Sequence, residues 1–206
     1  MTGRRQRRGE ALHHKGEDGA QRAKRYLDAT TRTRSSWTNK DDVPASRLTF
    51  FWPHAGQNEF SFDLGGILYG GEFDHHNFVA EAKNYSSDSD QGEHFDKFLA
   101  QCYLVYRDFS QFINQFMFIT WNPFRARGWQ KLCSTDSILD GCVANGNRLF
   151  GTTDADEVRS KLEMGVIEEL QERLWLVVLS DKQERLLIDD EERGFLVQRR
   201  IERGLM

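Results

Sequence analysis

Asp63 and the triplet Glu81-Ala82-Lys83 are the residues of this 206-residue chain whose types and spacing can do chemistry. Two carboxylates about one strand spacing apart form a hard, oxygen-rich site suited to Mg2+ or Mn2+. An ion held there polarises a phosphoryl oxygen and lowers the pKa of a bound water. A lysine alongside can hold the attacking water and offset charge on a phosphorane-like transition state. The alternative for Glu81 and Lys83 is a solvated surface ion pair, which contributes little to stability.

Two strands must position these groups. Phe60 to Gly66 and Asn77 to Tyr85 both read as strands, separated by a turn region containing Gly65, Gly66, Gly70 and Gly71. Side chains alternate faces along a strand, so Glu81 and Lys83 emerge beside Val79. Phe78, Ala80 and Ala82 then point the other way, and the two alanines leave room for a packed helix. In the first strand, Ser61 and Asp63 share the face opposite Phe60, Phe62 and Leu64. If the strands pair, Asp63, Glu81 and Lys83 converge.

This arrangement resembles the PD-(D/E)XK nuclease superfamily, in which the acid and a Glu-x-Lys lie on adjacent strands of a central sheet. The resemblance covers about residues 10–125. It implies an α/β fold with a three-layer αβα, restriction-endonuclease-like core around a mixed sheet. It implies phosphodiester hydrolysis, with Asp63, Glu81 and the Ala82 carbonyl holding Mg2+ (Mn2+ substituting) and Lys83 as the catalytic lysine. DNA is expected ahead of RNA, in restriction, defence or repair. Here Leu64-Gly65-Gly66 follows the acid, and no proline precedes it.

Two further family features have partial counterparts. The helix expected before the strands carries Gly16-Glu17 and then Ala23, Tyr26 and Leu27, with Ala20 where an acid is expected. Glu17, one turn earlier, can reach the same site; otherwise it is a helix-start acid favoured by the macrodipole. On the helix after Glu-x-Lys, Gln101 borders an apolar stripe of Phe95, Phe98, Leu99, Cys102, Tyr106 and Phe109. It is a candidate to face the site, or a surface glutamine.

Charge is divided unevenly. Residues 1–40 carry a balance of +7 and the remainder −11. Arg4, Arg5, Arg7, Arg8, Arg22, Lys24, Arg25, Arg32 and Arg34 are the expected phosphate contacts, although a basic tail also suits an acidic protein partner. Residues 1–15 read as a flexible basic arm. Residues 16–206 read as one nuclease-like domain with a C-terminal helix–strand extension. Within it, Thr33 to Ser46 reads as a polar connection and Ser86 to Gly92 as a flexible loop. Gln115 to Trp121 reads as a buried strand. Asp154 opens a helix carrying Val158, Leu162, Val166, Leu170 and Leu174, and Trp175 to Leu179 forms a further strand of the same sheet.

No apolar run approaches the roughly 20 residues of a membrane span, and the first residues lack a secretory pattern. The three cysteines show no metal-ligand spacing. A cytoplasmic, nucleic-acid-associated protein is expected, as a homodimer or in a larger complex. The competing readings are a catalytically silent nucleic-acid-binding subunit and a protein–protein adaptor.

Overall fold

The computed structural model describes residues 18–41, 47–54, 56, 58–84 and 91–204. Arg4, Arg5, Arg7, Arg8, Glu17, the last residue of the expected strand (Tyr85) and residues 86–90 of the expected loop lie outside them. Helix α1 covers 18–29 and leads into strand β1 (Thr33–Thr38). A hairpin of β2 (Thr49–Phe51) and β3 (Glu59–Ser61) precedes β4 (Leu64–Leu68) and β5 (Asn77–Lys83). Helix α2 (Gln91–Phe109) crosses to β6 (Gln115–Thr120). Helices α3 (Thr135–Ala144), α4 (Gly146–Phe150), α5 (Ala155–Lys161) and α6 (Met164–Gln171) then lead to β7 (Leu174–Val178). Helices α7 (Asp181–Glu184) and α8 (Asp190–Glu202) follow.

The result is an α/β fold on a five-stranded mixed sheet of order β1-β4-β5-β6-β7. β1, β4 and β5 pair antiparallel, whereas β5, β6 and β7 are parallel. Parallel neighbours need long crossovers, and here helices supply them. All six residues of β6 are buried, as a strand covered on both faces requires. On one face Val79 joins Phe95, Phe98 and Leu99 of α2 with Phe60 and Phe62. On the other, Phe78, Ala80 and Ala82 pack against Ala20, Ala23 and Leu27 of α1. The alanines of β5 do make room for a helix. Among the described residues no helix is long and apolar enough to cross a membrane.

The strand expected at Phe60 to Gly66 is in fact two strands in different sheets. Phe62 N–H still donates to Leu48 O beside the hairpin, whereas Asp63 N–H donates to Ala80 O in the main sheet. Crossing between sheets puts Phe60 and Phe62 on the α2 side and Leu64 on the α1 side, a change of face that alternation alone does not reveal. The expected connection from Thr33 begins as β1, an edge strand whose half-exposed, hydroxyl-rich residues carry no apolar alternation.

Gly65 and Gly66 lie within β4, and only Gly70 (φ 77°) and Gly71 (φ 69°) form the turn. The helix expected from Asp154 starts as expected, with its carboxylate accepting from the Asp156 and Glu157 N–H groups. It breaks at Leu162, whose backbone is extended, and resumes as α6; Leu174 belongs to β7. Trp175 to Val178 do extend the main sheet, as its parallel edge.

Gly66 tests this packing. A Cβ there would sit 2.5 Å from both Ser35 O and the Phe78 ring, so Gly66→Ala is expected to destabilise by about 1–3 kcal/mol. Gly165→Ala, in α6 with nothing within 4 Å of the added atom, is expected to be neutral or stabilising. Denaturant midpoints of the two variants check the contrast.

Candidate active site

The β4–β5 ladder assembles the site. Leu64 pairs with Ala80 in antiparallel register, so Asp63 falls opposite Glu81. The chain then holds Asp63 from several directions. Its N–H donates to Ala80 O at 3.0 Å, and its Oδ2 accepts the Ala82 N–H at 2.9 Å. Its carbonyl accepts the Asn39 N–H at 3.0 Å, and the Asn39 side chain lies 3.5 Å from Oδ1. Alternation places Glu81 and Lys83 on the Val79 side of β5. There Lys83 Nζ forms an ion pair with Glu81 Oε1, with both side chains under a fifth exposed. The pair is therefore not the solvated surface bridge that the sequence also allowed. Glu81 Oε2 is buried with no hydrogen-bond partner.

The electrostatics follow from this enclosure. Burial pushes the Asp63 carboxyl up to about 7, and the neighbouring Glu81 charge adds to the rise. Lys83 and the Ala82 N–H act in the opposite direction without cancelling it. The two carboxylates thus stand in each other's field with one oxygen unsatisfied, a donor set that suits a hard divalent cation. The Ala82 carbonyl belongs to the residue between Glu81 and Lys83 whose N–H bonds Asp63. Among the described residues no cluster of three or more His, Cys, Asp or Glu side chains is present, so such an ion would draw its remaining ligands from backbone and water.

Two α2 residues that the sequence did not single out reach this region. Lys97 is half-buried, and burial lowers its pKa against the pull of Glu81, with Arg148 and Lys83 adding to the lowering. It brings a second cation near the carboxylates; a lysine beside Phe98 of the apolar stripe, the one lysine of α2, was the available signal. Gln91 is fully buried. Its Nε2 donates to Thr120 Oγ1 at 3.1 Å, and that hydroxyl donates to Lys83 O at 3.2 Å. Gln91 Oε1 is buried without a partner.

Gln101 is buried rather than on the surface. No hydrogen bond joins it to Asp63 or Glu81, so the α2 glutamine bonded toward the Glu-x-Lys strand is Gln91. The basic residues of α1 are engaged within the fold. Arg22 bonds Glu184 at 3.0 and 2.6 Å and Asp181 at 2.5 Å, and lies 4.5 Å from the Trp121 ring centre. Arg25 bonds Glu184 at 3.2 Å, and Lys24 bonds Asp28 at 2.7 Å. Arg32 and Arg34 are exposed.

Comparison of the chain with protein-family models, with curated proteins and with solved structures finds no match. The functional reading therefore stands on the geometry.

The raised Asp63 pKa has a sign that can be measured. The unfolded carboxyl ionises near 3.8 and the folded one near 7, so the fold keeps a proton that the unfolded chain releases. That contribution to stability is full below about 4 and is lost as pH rises through about 7. Asp63→Asn keeps an acceptor for the Ala82 N–H and cannot ionise. In EDTA, its Tm is expected to exceed that of the wild type by a margin that widens from pH 5 to pH 8. The scale is roughly 2–4 °C per kcal/mol for a chain of this size. A margin that stays constant with pH would show that Asp63 ionises as an ordinary surface carboxylate.

Proposed function

We propose that the chain is a metal-dependent nuclease that hydrolyses phosphodiester bonds of nucleic acid, DNA ahead of RNA, on a three-layer αβα, restriction-endonuclease-like core. The observation that carries this reading is the meeting of Asp63, Glu81 and Lys83 at one partly buried point: Asp63 is bonded to the backbone between the other two, and Glu81 is paired with Lys83. A purely structural ion pair accounts for Lys83 and one oxygen of Glu81. It leaves the second oxygen of Glu81 and the elevated Asp63 without a purpose.

In this reading Asp63 and Glu81, with the Ala82 carbonyl, hold Mg2+, and Mn2+ substitutes. The ion, when bound, supplies Lewis-acid polarisation of the phosphoryl group and a more acidic water. The protein contributes the remaining functions. Asp63 must give up its proton to act as a ligand, so metal affinity is expected to rise with pH up to about 7. Lys83, fixed by Glu81 and by the β5 backbone, orients water and offsets charge developing on the phosphoryl oxygens. Lys97 adds positive potential from α2, and the low exposure of the ion pair strengthens each of these interactions.

The test is cleavage of labelled single- and double-stranded DNA and RNA in Mg2+, Mn2+ or EDTA. Asp63→Asn, Glu81→Gln and Lys83→Gln are each expected to lower the rate by about 10²–10³-fold or more, with circular dichroism unchanged. A wild-type rate in any of them would remove that residue from the site. No cleavage of any substrate, with retained salt-sensitive binding, would favour a nucleic-acid-binding subunit. No cleavage and no binding would favour a protein adaptor.

A further inference from the structure

At the carboxyl end of α2, Phe109 and Phe112 are 42% and 67% exposed, unusual for large aromatic rings. They stand at a cavity of about 500 Å³, which Trp37 and Phe50 also line. That volume is in the range of small-molecule sites. The Phe50 ring centre lies 5.6 Å from that of Phe109, so these two rings form one aromatic surface. Gly65 leaves room for the Trp37 indole, since a Cβ there would come 3.0 Å from the indole nitrogen. Two polar groups complete the lining, the exposed Arg47 guanidinium and the Asn77 carboxamide. Among the described residues no ion pair engages Arg47, unlike Arg22 and Arg25.

We infer that this cavity binds one unpaired nucleotide of a nucleic-acid strand, its base against the aromatic wall and its phosphate toward Arg47. Aromatic faces combined with an exposed cation form the stacking platform of single-strand binding, and a carboxamide can bond a base edge. The location agrees. Asn77 and Val79 of β5 line the cavity, and Glu81 follows Val79 on the same face, roughly 7 Å further along the strand. The inference rests on the nuclease reading and narrows its substrate to nucleic acid with an unpaired base, either single-stranded or extruded from a duplex.

The experiment is fluorescence anisotropy in EDTA, comparing a labelled single-stranded DNA oligonucleotide with the same backbone carrying abasic positions. The wild type is expected to prefer the base-bearing strand. Phe109→Ala/Phe112→Ala is expected to weaken binding of that strand by about 5- to 150-fold for one stacked base and to leave the abasic strand unaffected. Arg47→Gln is expected to weaken both strands and to reduce the salt slope by about 0.7. Arg47 and Phe112 are the more exposed of the three and their replacement should leave Tm unchanged, whereas loss of Phe109 from its contact with Phe50 should lower it modestly, with circular dichroism unchanged.

Equal affinity for the two strands, or base preference retained in the double variant, would overturn the proposal. So would a fall from dimer to monomer mass by light scattering in the double variant with nucleotide affinity unchanged, which would identify a protein contact. Failure of the catalytic reading is distinguishable. Base-dependent binding without metal-dependent cleavage would sink the nuclease and leave the cavity assignment, whereas cleavage abolished by Asp63→Asn with no base preference would do the reverse.

Discussion

The hydrogen bond from the Ala82 N–H to Asp63 Oδ2 is the constraint on which the site depends. Asp63 lies where the chain leaves the β2–β3 hairpin and enters the main sheet, a place where backbone pairing would otherwise be loose. Its N–H continues the ladder to Ala80 O, and its carboxylate occupies the next position by taking the Ala82 N–H. The register of β4 on β5 is thereby fixed at both ends of one residue. A slip of one residue would turn every side chain of β5 to the opposite face. Glu81 and Lys83 would then be driven into the close-packed layer of Ala20 and Ala23 on α1, where an ion pair is costly to desolvate. The small side chains on one face and the charged pair on the other therefore enforce the same register.

The cost of the arrangement is concentrated in a few atoms. A carboxyl held near 7, an unpartnered Glu81 oxygen and an unpartnered Gln91 oxygen are each unfavourable in an otherwise well-packed interior. The surroundings offset this. On the α1 side, Arg22 is clamped between Glu184, Asp181 and the Trp121 ring, and Trp121 also donates to Glu184. That network ties α1 and α7 to the chain just beyond β6. Helix α1 is held firmly over the alanine face of β5, and the opposite face can carry the polar groups without loosening the sheet.

Much of this was legible in the sequence, for a physical reason. Alternation along β5 is strict, so the sides taken by Val79, Glu81 and Lys83 and by Ala80 and Ala82 could be read directly. The apolar β6 and the Asp154 cap were readable on the same local grounds. Features that depend on distant partners were not. Arg22, Lys24 and Arg25 read as a phosphate-binding face because their sequence neighbours are basic, yet the acid that holds Arg22 is 162 residues away. β1 escaped notice because an edge strand half in solvent needs no apolar pattern. The division at Asp63 escaped notice because Phe60, Phe62 and Leu64 keep a period of two while the sheet beneath them changes. Gln91 was missed because its role comes from Thr120, on a strand formed after the helix.

β5 is also where the sheet changes sense, antiparallel to β4 on one side and parallel to β6 on the other. Both parallel crossovers, α2 and then α3 to α6, pack on the same face of the sheet. Glu81 and Lys83 occupy the carboxyl end of β5, and Thr120 ends β6 beside Lys83. The amino end of α2 is anchored to this corner through Gln91, so the helix presents its partial positive charge there. Under the proposed function, two acids and nearby lysines at this corner suit a ligand that brings both a cation and negative oxygens, as a metal-bound phosphodiester does.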